Sequence, residues 1–189
     1  MTDQILFPQE YFSTTKGKVI IRLATPADAI QFSELRMQAL RDNPTAFGSS
    51  YETRENCSLE WATKVLQPKS KDGAIYIAEH GQQLLGITSI LRAPGIKTRH
   101  SATIGGVFIL PEWRRLGIID AFVMECIKWA KLQDVIIIKL AVTTNNQPAI
   151  KTYTRLGFEI YGTEPKVIFH DSTYYDEYLM SINIENNYE

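Results

Sequence analysis

A chain of 189 residues with 44% hydrophobic content and three tryptophans is long enough to bury a substantial core as one domain, and its 20 basic and 21 acidic residues leave a formal net charge of −1. That balance excludes the broad basic footprint that nucleic acid or anionic lipid would need, while leaving room for one local basic turn. No apolar run reaches bilayer-spanning length, "MTDQILFPQEYF" lacks a basic start followed by an apolar signal core, and Cys57 and Cys126 stand apart without C-x-x-C or His-rich spacing; the expectation is a cytoplasmic protein with no nucleic-acid or membrane partner, no disulfide framework and no metal site.

The first 17 residues are loosely patterned and read as an extension to a domain over residues 18–189. "KVIIRLA" then reads as a strand. Thr25 caps a helix with Pro26 at its first position and Asp28 completing a capping-box-like pattern; Phe32, Leu35 and Ala39 form its apolar face, and it ends near "DNP". After the loop "TAFGSSYETREN", Ser58 precedes a shorter helix, "LEWATKVLQ". The two strand-like runs of "AIYIAEHGQQLLGITSILRA" flank a glycine-containing turn and predict an antiparallel hairpin.

A further strand, "ATIGGVFIL", leads into "VFILPEWRRLGIIDAF". Apolar positions 119, 122, 123, 126, 127 and 130 then mark a helix face packed on a sheet. The uninterrupted apolar run "VIIIKLAV" predicts a central strand buried on both faces, flanked by that helix and by "QPAIKTYTRL". The tail returns to strand pairing around the turn "HDST".

Two segments carry chemistry. Arg114, Gly117 and the helix beginning near Ile118 place backbone amides, a positive helix end and a guanidinium at one turn, a combination suited to pyrophosphate, although such helix starts are common. In "NNQPAIKTYTRLGF", Asn146 stands at a strand-to-helix entry, Ala149 and Tyr153 share a helix face, and Gly157 ends the helix. A purely structural alternative has Tyr153 packed in the core and Asn146 capping.

Taken together and in this order, "VFILPEWRRLG" and "VTTNNQPAIKTYTRLGF" resemble the GNAT superfamily of N-acetyltransferases, with the likeness extending over roughly residues 18–182; "LRMQALRDNPTAFGSSYE" and "EIYGTEP" look like its bacterial members. The resemblance implies an α/β fold, a single domain with a mixed, mostly antiparallel sheet flanked by helices and a splayed strand pair for the cofactor. It implies acetyl-CoA as cosubstrate, bound through the strand backbone at Val107, Phe108 and Ile109 and through the turn at Arg114, Arg115, Leu116, Gly117, Ile118 and Ile119. By the same carry-over Asn146 contacts CoA and Tyr153 lies near its sulfur. Ile119 departs from the family's R/Q-x-x-G-x-G/A pattern, and its place in the apolar set with 122, 123 and 126 points it into the core.

The implied reaction is direct acetyl transfer to a primary amine of a small molecule or peptide. Tyr153 is the expected general acid toward the departing thiolate. A lysine-like amine of pKa about 10.4 costs roughly 4.6 kcal/mol to deprotonate at pH 7, so a base or water relay is needed. Glu79, His80, His100 and Glu112 are candidates, and His100, which titrates in the useful range and precedes the motif strand, is the first choice. Tyr174, Tyr175 and Tyr178, with Asp176 and Glu177 between them, could wall an amine pocket. The alternative function is a catalytically weak acyl-CoA-binding or regulatory module, with Ile119 as its support. Similar proteins often dimerise, so a homodimer is compatible with the resemblance, but no segment locates an interface.

Overall fold

A computed structural model describes residues 10–53, 57–67 and 71–185. Eight strands, β1 (Glu10–Thr14), β2 (Gly17–Leu23), β3 (Gly73–His80), β4 (Gln83–Arg92), β5 (Ser101–Ile109), β6 (Ile137–Thr143), β7 (Glu159–His170) and β8 (Thr173–Asn183), form one sheet in the order β1-β2-β3-β4-β5-β6-β8-β7. All neighbours are antiparallel except β5 and β6. Four α-helices accompany the described strands: α1 (Ala29–Asp42), α2 (Leu59–Val65), α3 (Ile118–Leu132) and α4 (Gln147–Arg155). This is the mixed α/β, mostly antiparallel architecture that the resemblance implied.

Local chemistry explains the boundaries. The Thr25 N–H donates to Asp28 Oδ2 at 2.7 Å, closing the expected entry to a short 3-10 turn that runs into α1, and α1 stops at Asn43 before Pro44. Ser58 Oγ accepts from the Trp61 N–H at 3.1 Å to start α2. β7 and β8 turn through Asp171 and Ser172, both at positive φ, as a two-residue hairpin requires. Residues 10–14, loosely patterned as sequence, instead pair with β2 as an edge strand of the same sheet. Their own alternation is short and polar, so the partner strand supplies the order.

Two expectations are corrected. β6 is not buried on both faces: Ile138, Leu140 and Val142 face the core, whereas Ala141 between them is exposed despite its central position. In α3 burial extends beyond the expected stripe to Ile118, Glu125 and Trp129, while Ile119 is half-buried against the core.

Candidate active site

The sheet is split at the one parallel pair among the described strands. β5 and β6 pair over three positions, Ser101 with Ile137, Ala102 with Ile138 and Thr103 with Lys139, and no pair follows. Beyond them residues 104–109 remain bound to β4 and residues 140–143 to β8, so their facing edges diverge as a slot. A cause is visible in β5: the β4 register slips between Ile87 and Ser89, which oppose Phe108 and Gly105, and Gly106 sits at φ +65. This bulge bends and twists the strand away from its neighbour. The "GG" within the strand pattern was the available sequence signal for it.

At the open end of the slot, β5 passes through a 3-10 turn at Pro111–Trp113 into α3. Arg115 (φ 61) and Gly117 (φ 82) are both left-handed, which turns successive N–H groups to one side as an anion-binding concavity. The Arg114 N–H bonds to Pro111 O and the Ala121 N–H to Gly117 O, and the N–H groups of residues 115–120 between them have no partner among the described residues. Helix geometry leaves these donors unused, and the helix dipole adds positive potential.

Arg114 and Arg115 are both exposed at this turn, and Arg114 Nε donates to Ile109 O at 3.1 Å, bracing the turn against β5. Lys16, which the sequence did not single out, also reaches this turn: its Nζ donates to Glu112 O at 2.6 Å.

α4 forms the facing wall. Asn146 caps it, with Oδ1 accepting from the Ala149 N–H at 3.3 Å, and Arg155 pairs with Asp120 in the first turn of α3 at 2.7 Å. Tyr153 is buried with its ring edge-on to Phe158, centroids 5.9 Å apart. Burial, with a smaller contribution from Cys126, pushes its hydroxyl far above the usual tyrosine range. Unlike Tyr76, it does not have a sealed, partnerless hydroxyl.

Of the proposed bases, His80 and Glu112 lie at the Pro111–Trp113 turn by the open end of the slot, and His100 does not. Glu79 is held by Arg22 at 2.7 Å, a guanidinium that also pairs with Asp28. His80 Nδ1 contacts Lys18 O and its ring lies against Trp113. Glu112 is exposed in the turn. His100 is exposed at the paired end of β5, about 20 Å along the strand from Gly106, with its carbonyl accepting from Ile136 and Ile137.

Another carboxylate lies closer. Glu177 on β8 pairs in register with Thr143 at the splayed end of β6 and with Glu164 on β7. Residues directly opposed in a sheet share a face, so Glu177 is a diagonal neighbour of the exposed Ala141. It is half-buried, and burial followed by repulsion from Glu164 raises its pKa. Neither carboxylate has a cation partner among the described residues.

A cavity of about 560 Å³ adjoins this region between the end of α1 with its following loop (Leu40, Phe47, Tyr51, Glu52) and the end of β7 (Ile168, His170). Ile168 pairs with Tyr175, two residues before Glu177 and hence on the same face. The 3-10 turn Pro44–Ala46 in that loop touches both β6 and β7. Asp42, held low by Arg41 and also by Arg114, places the end of α1 beside the amide-rich turn. No group of His, Cys, Asp and Glu among the described residues could hold a metal, and Cys57 and Cys126 are buried and free. No helix among those residues is long and apolar enough to cross a membrane.

The site is thus a split in the sheet with a run of partnerless amides at its open end. The chain belongs to the acetyltransferase (GNAT) family, whose sequence model it matches over residues 35–158. Members of this family use acetyl-CoA. The chain is 30% identical over 140 residues to the uncharacterized N-acetyltransferase MJ1207 of Methanocaldococcus jannaschii, covering 74% of this chain and 60% of the relative. It is 34% identical over 80 residues to the L-amino acid N-acetyltransferase AaaT of Escherichia coli, covering 40% of this chain and 48% of the relative. The matched region thus spans less than two thirds of either relative. Among solved structures, the fold matches YncA, a putative acetyltransferase from Salmonella typhimurium with its cofactor acetyl-CoA, at TM-score 0.73 and 16% identity, over 90% of this chain and 96% of that one.

Proposed function

We propose that this protein transfers an acetyl group from acetyl-CoA directly to a primary amine of a small molecule or peptide. The observation that carries this reading is the run of partnerless N–H groups of residues 115–120 at the open end of the β5–β6 slot, with α4 tied to the first turn of α3 through Arg155 and Asp120. The residues fit the cosubstrate: amides at a helix start suit a pyrophosphate, and the unpaired edges of β5 and β6 suit an amide-bearing arm.

Acetyl-CoA supplies the acyl group and a thiolate leaving group. On the protein's side, Arg115 and the amides of residues 115–119 hold the phosphates, and the backbone of Val107, Phe108 and Ile109 lines the arm and polarises the acyl carbonyl. Tyr153 donates a proton to the departing sulfur. Glu177 takes the place first given to His100 and receives the proton of the acceptor's ammonium, because it lies beside the slot and its raised pKa brings it closer to that task. The likeness to an L-amino acid N-acetyltransferase makes amino acids the first acceptors to try.

Acetyl-CoA should raise the melting temperature, and thiol release across a panel of amino acids, peptides and small amines should find an acceptor. Binding without release on any amine would favour a catalytically weak acyl-CoA module, and absence of both would remove the cofactor assignment.

A further inference from the structure

Among the described residues, one partly buried guanidinium has sealed N–H groups without a hydrogen-bond partner. Arg36 on α1 lies one turn before Leu40, and its guanidinium sits over the ring of Phe47, with Cζ 4.8 Å from the centroid. Leu40 and Phe47 both line the 560 Å³ cavity. Nε and Nη1 of Arg36 are sealed from solvent and bond to nothing. Cys57 is the neighbouring polar residue, and its carbonyl takes the Ser33 hydroxyl; on the cavity wall the Glu52 carboxylate takes the Ser50 hydroxyl. Burial lowers the pKa of Arg36, yet a guanidinium keeps its proton, so the group cannot relieve its position by becoming neutral.

A buried cation with unused donors is among the least favourable arrangements a core can hold. A neutral side chain of equal length would cover Phe47 without that penalty. The arrangement is resolved by a ligand that brings an anion, and the cavity next to it is where an acceptor would enter. Nη2 is not among the sealed atoms and is the group left for an anion, while the two-pronged pairing that guanidinium and carboxylate favour would need a second N–H uncovered as well.

We propose that Arg36 anchors a carboxylate of the acceptor, so that the preferred acceptors are amines carrying a carboxylate, with free amino acids the simplest class. This rests on the transfer reading above.

Binding and turnover separate the two claims. Wild type, Arg36→Met and Arg36→Lys are compared by calorimetry and thermal shift, with and without CoA, against L-amino acids and their amides. The wild type is expected to bind acids at least tenfold more tightly than amides. Arg36→Met loses about 100-fold in affinity for acids, little for amides, and nothing for acetyl-CoA, while Arg36→Lys keeps part of the preference. In the absence of ligand, Arg36→Met melts no lower than wild type, because it removes an unpaired buried charge. Equal wild-type affinity for acids and amides would overturn the proposal. So would an Arg36→Met protein that melts well below wild type and loses acids and amides alike, since that marks a structural role. Acid-selective binding without thiol release would instead leave Arg36 in place and count against transfer.

Discussion

Glu177 and Tyr153 are both shifted upward by burial, with opposite consequences for the pH dependence of turnover. A base must be ionised to accept a proton, so activity should fall as pH drops through the Glu177 value, which burial and the Glu164 charge raise. Tyr153 must be protonated to act as an acid, and its raised value keeps it so throughout the accessible range, leaving no loss on the alkaline side. Glu177→Gln should lower kcat about 100-fold or more and remove the acid-side inflection, measured by kcat against pH. The stability sign is the reverse. The folded pKa of Glu177 lies above its unfolded value, so its favourable contribution exists at low pH and is lost as pH rises through the folded value. Glu177→Gln should therefore melt no lower than wild type near pH 7.5, and a variant losing stability and turnover together at every pH would mark a structural residue. Tyr153→Phe keeps the edge-on contact with Phe158 and should lower turnover more than acetyl-CoA affinity; unchanged turnover would remove the acid assignment.

The start of α3 is decided by its backbone. Gly117 takes the left-handed turn at φ 82, and Ile119 two residues later packs against the core, leaving the amide face uncovered. Ile119→Gly should cost about 1–2 kcal/mol through lost burial and helix propensity, read from chemical denaturation, and should not tighten acetyl-CoA binding. A much lower acetyl-CoA Kd in that variant would show that the isoleucine crowds the site. Helix starts and hairpins of this kind were legible in the chain because capping residues, left-handed turns and apolar spacing are local. The exposure of Ala141 was not: a run of β-branched residues reads as doubly buried, whereas Ile137, Lys139 and Ala141 lie on a face that is only partly covered. Nor was Glu177 assignable, since its meaning comes from Thr143 and Glu164, which the chain brings beside it only through sheet register. His100 misled for the complementary reason, being near the motif in sequence but at the wrong end of the strand.

At the scale of the molecule, three parallel residue pairs join two half-sheets, β1 to β5 with α3 and β6 to β8 with α4, and the exposed Arg155–Asp120 pair adds little across the gap. The free edges of residues 104–109 and 140–143 are therefore weak points in an otherwise continuous sheet. A ligand lying along both edges would replace the missing strand-to-strand bonds, which the core cannot do for itself because the Gly106 bulge holds β5 away. Hydrogen exchange should show the slot-facing amides of these segments, and those of residues 115–120, exchanging early in the free protein and slowing selectively on adding acetyl-CoA. At 100 times its Kd the ligand adds about 2.7 kcal/mol, or roughly 5–10 °C in Tm for a chain of this size. Slowing spread evenly over the sheet would mean only global stabilisation. Slowing confined to residues 115–120 would mean that the phosphates bind while the arm stays out of the slot, which would separate the anion site from the transfer reaction.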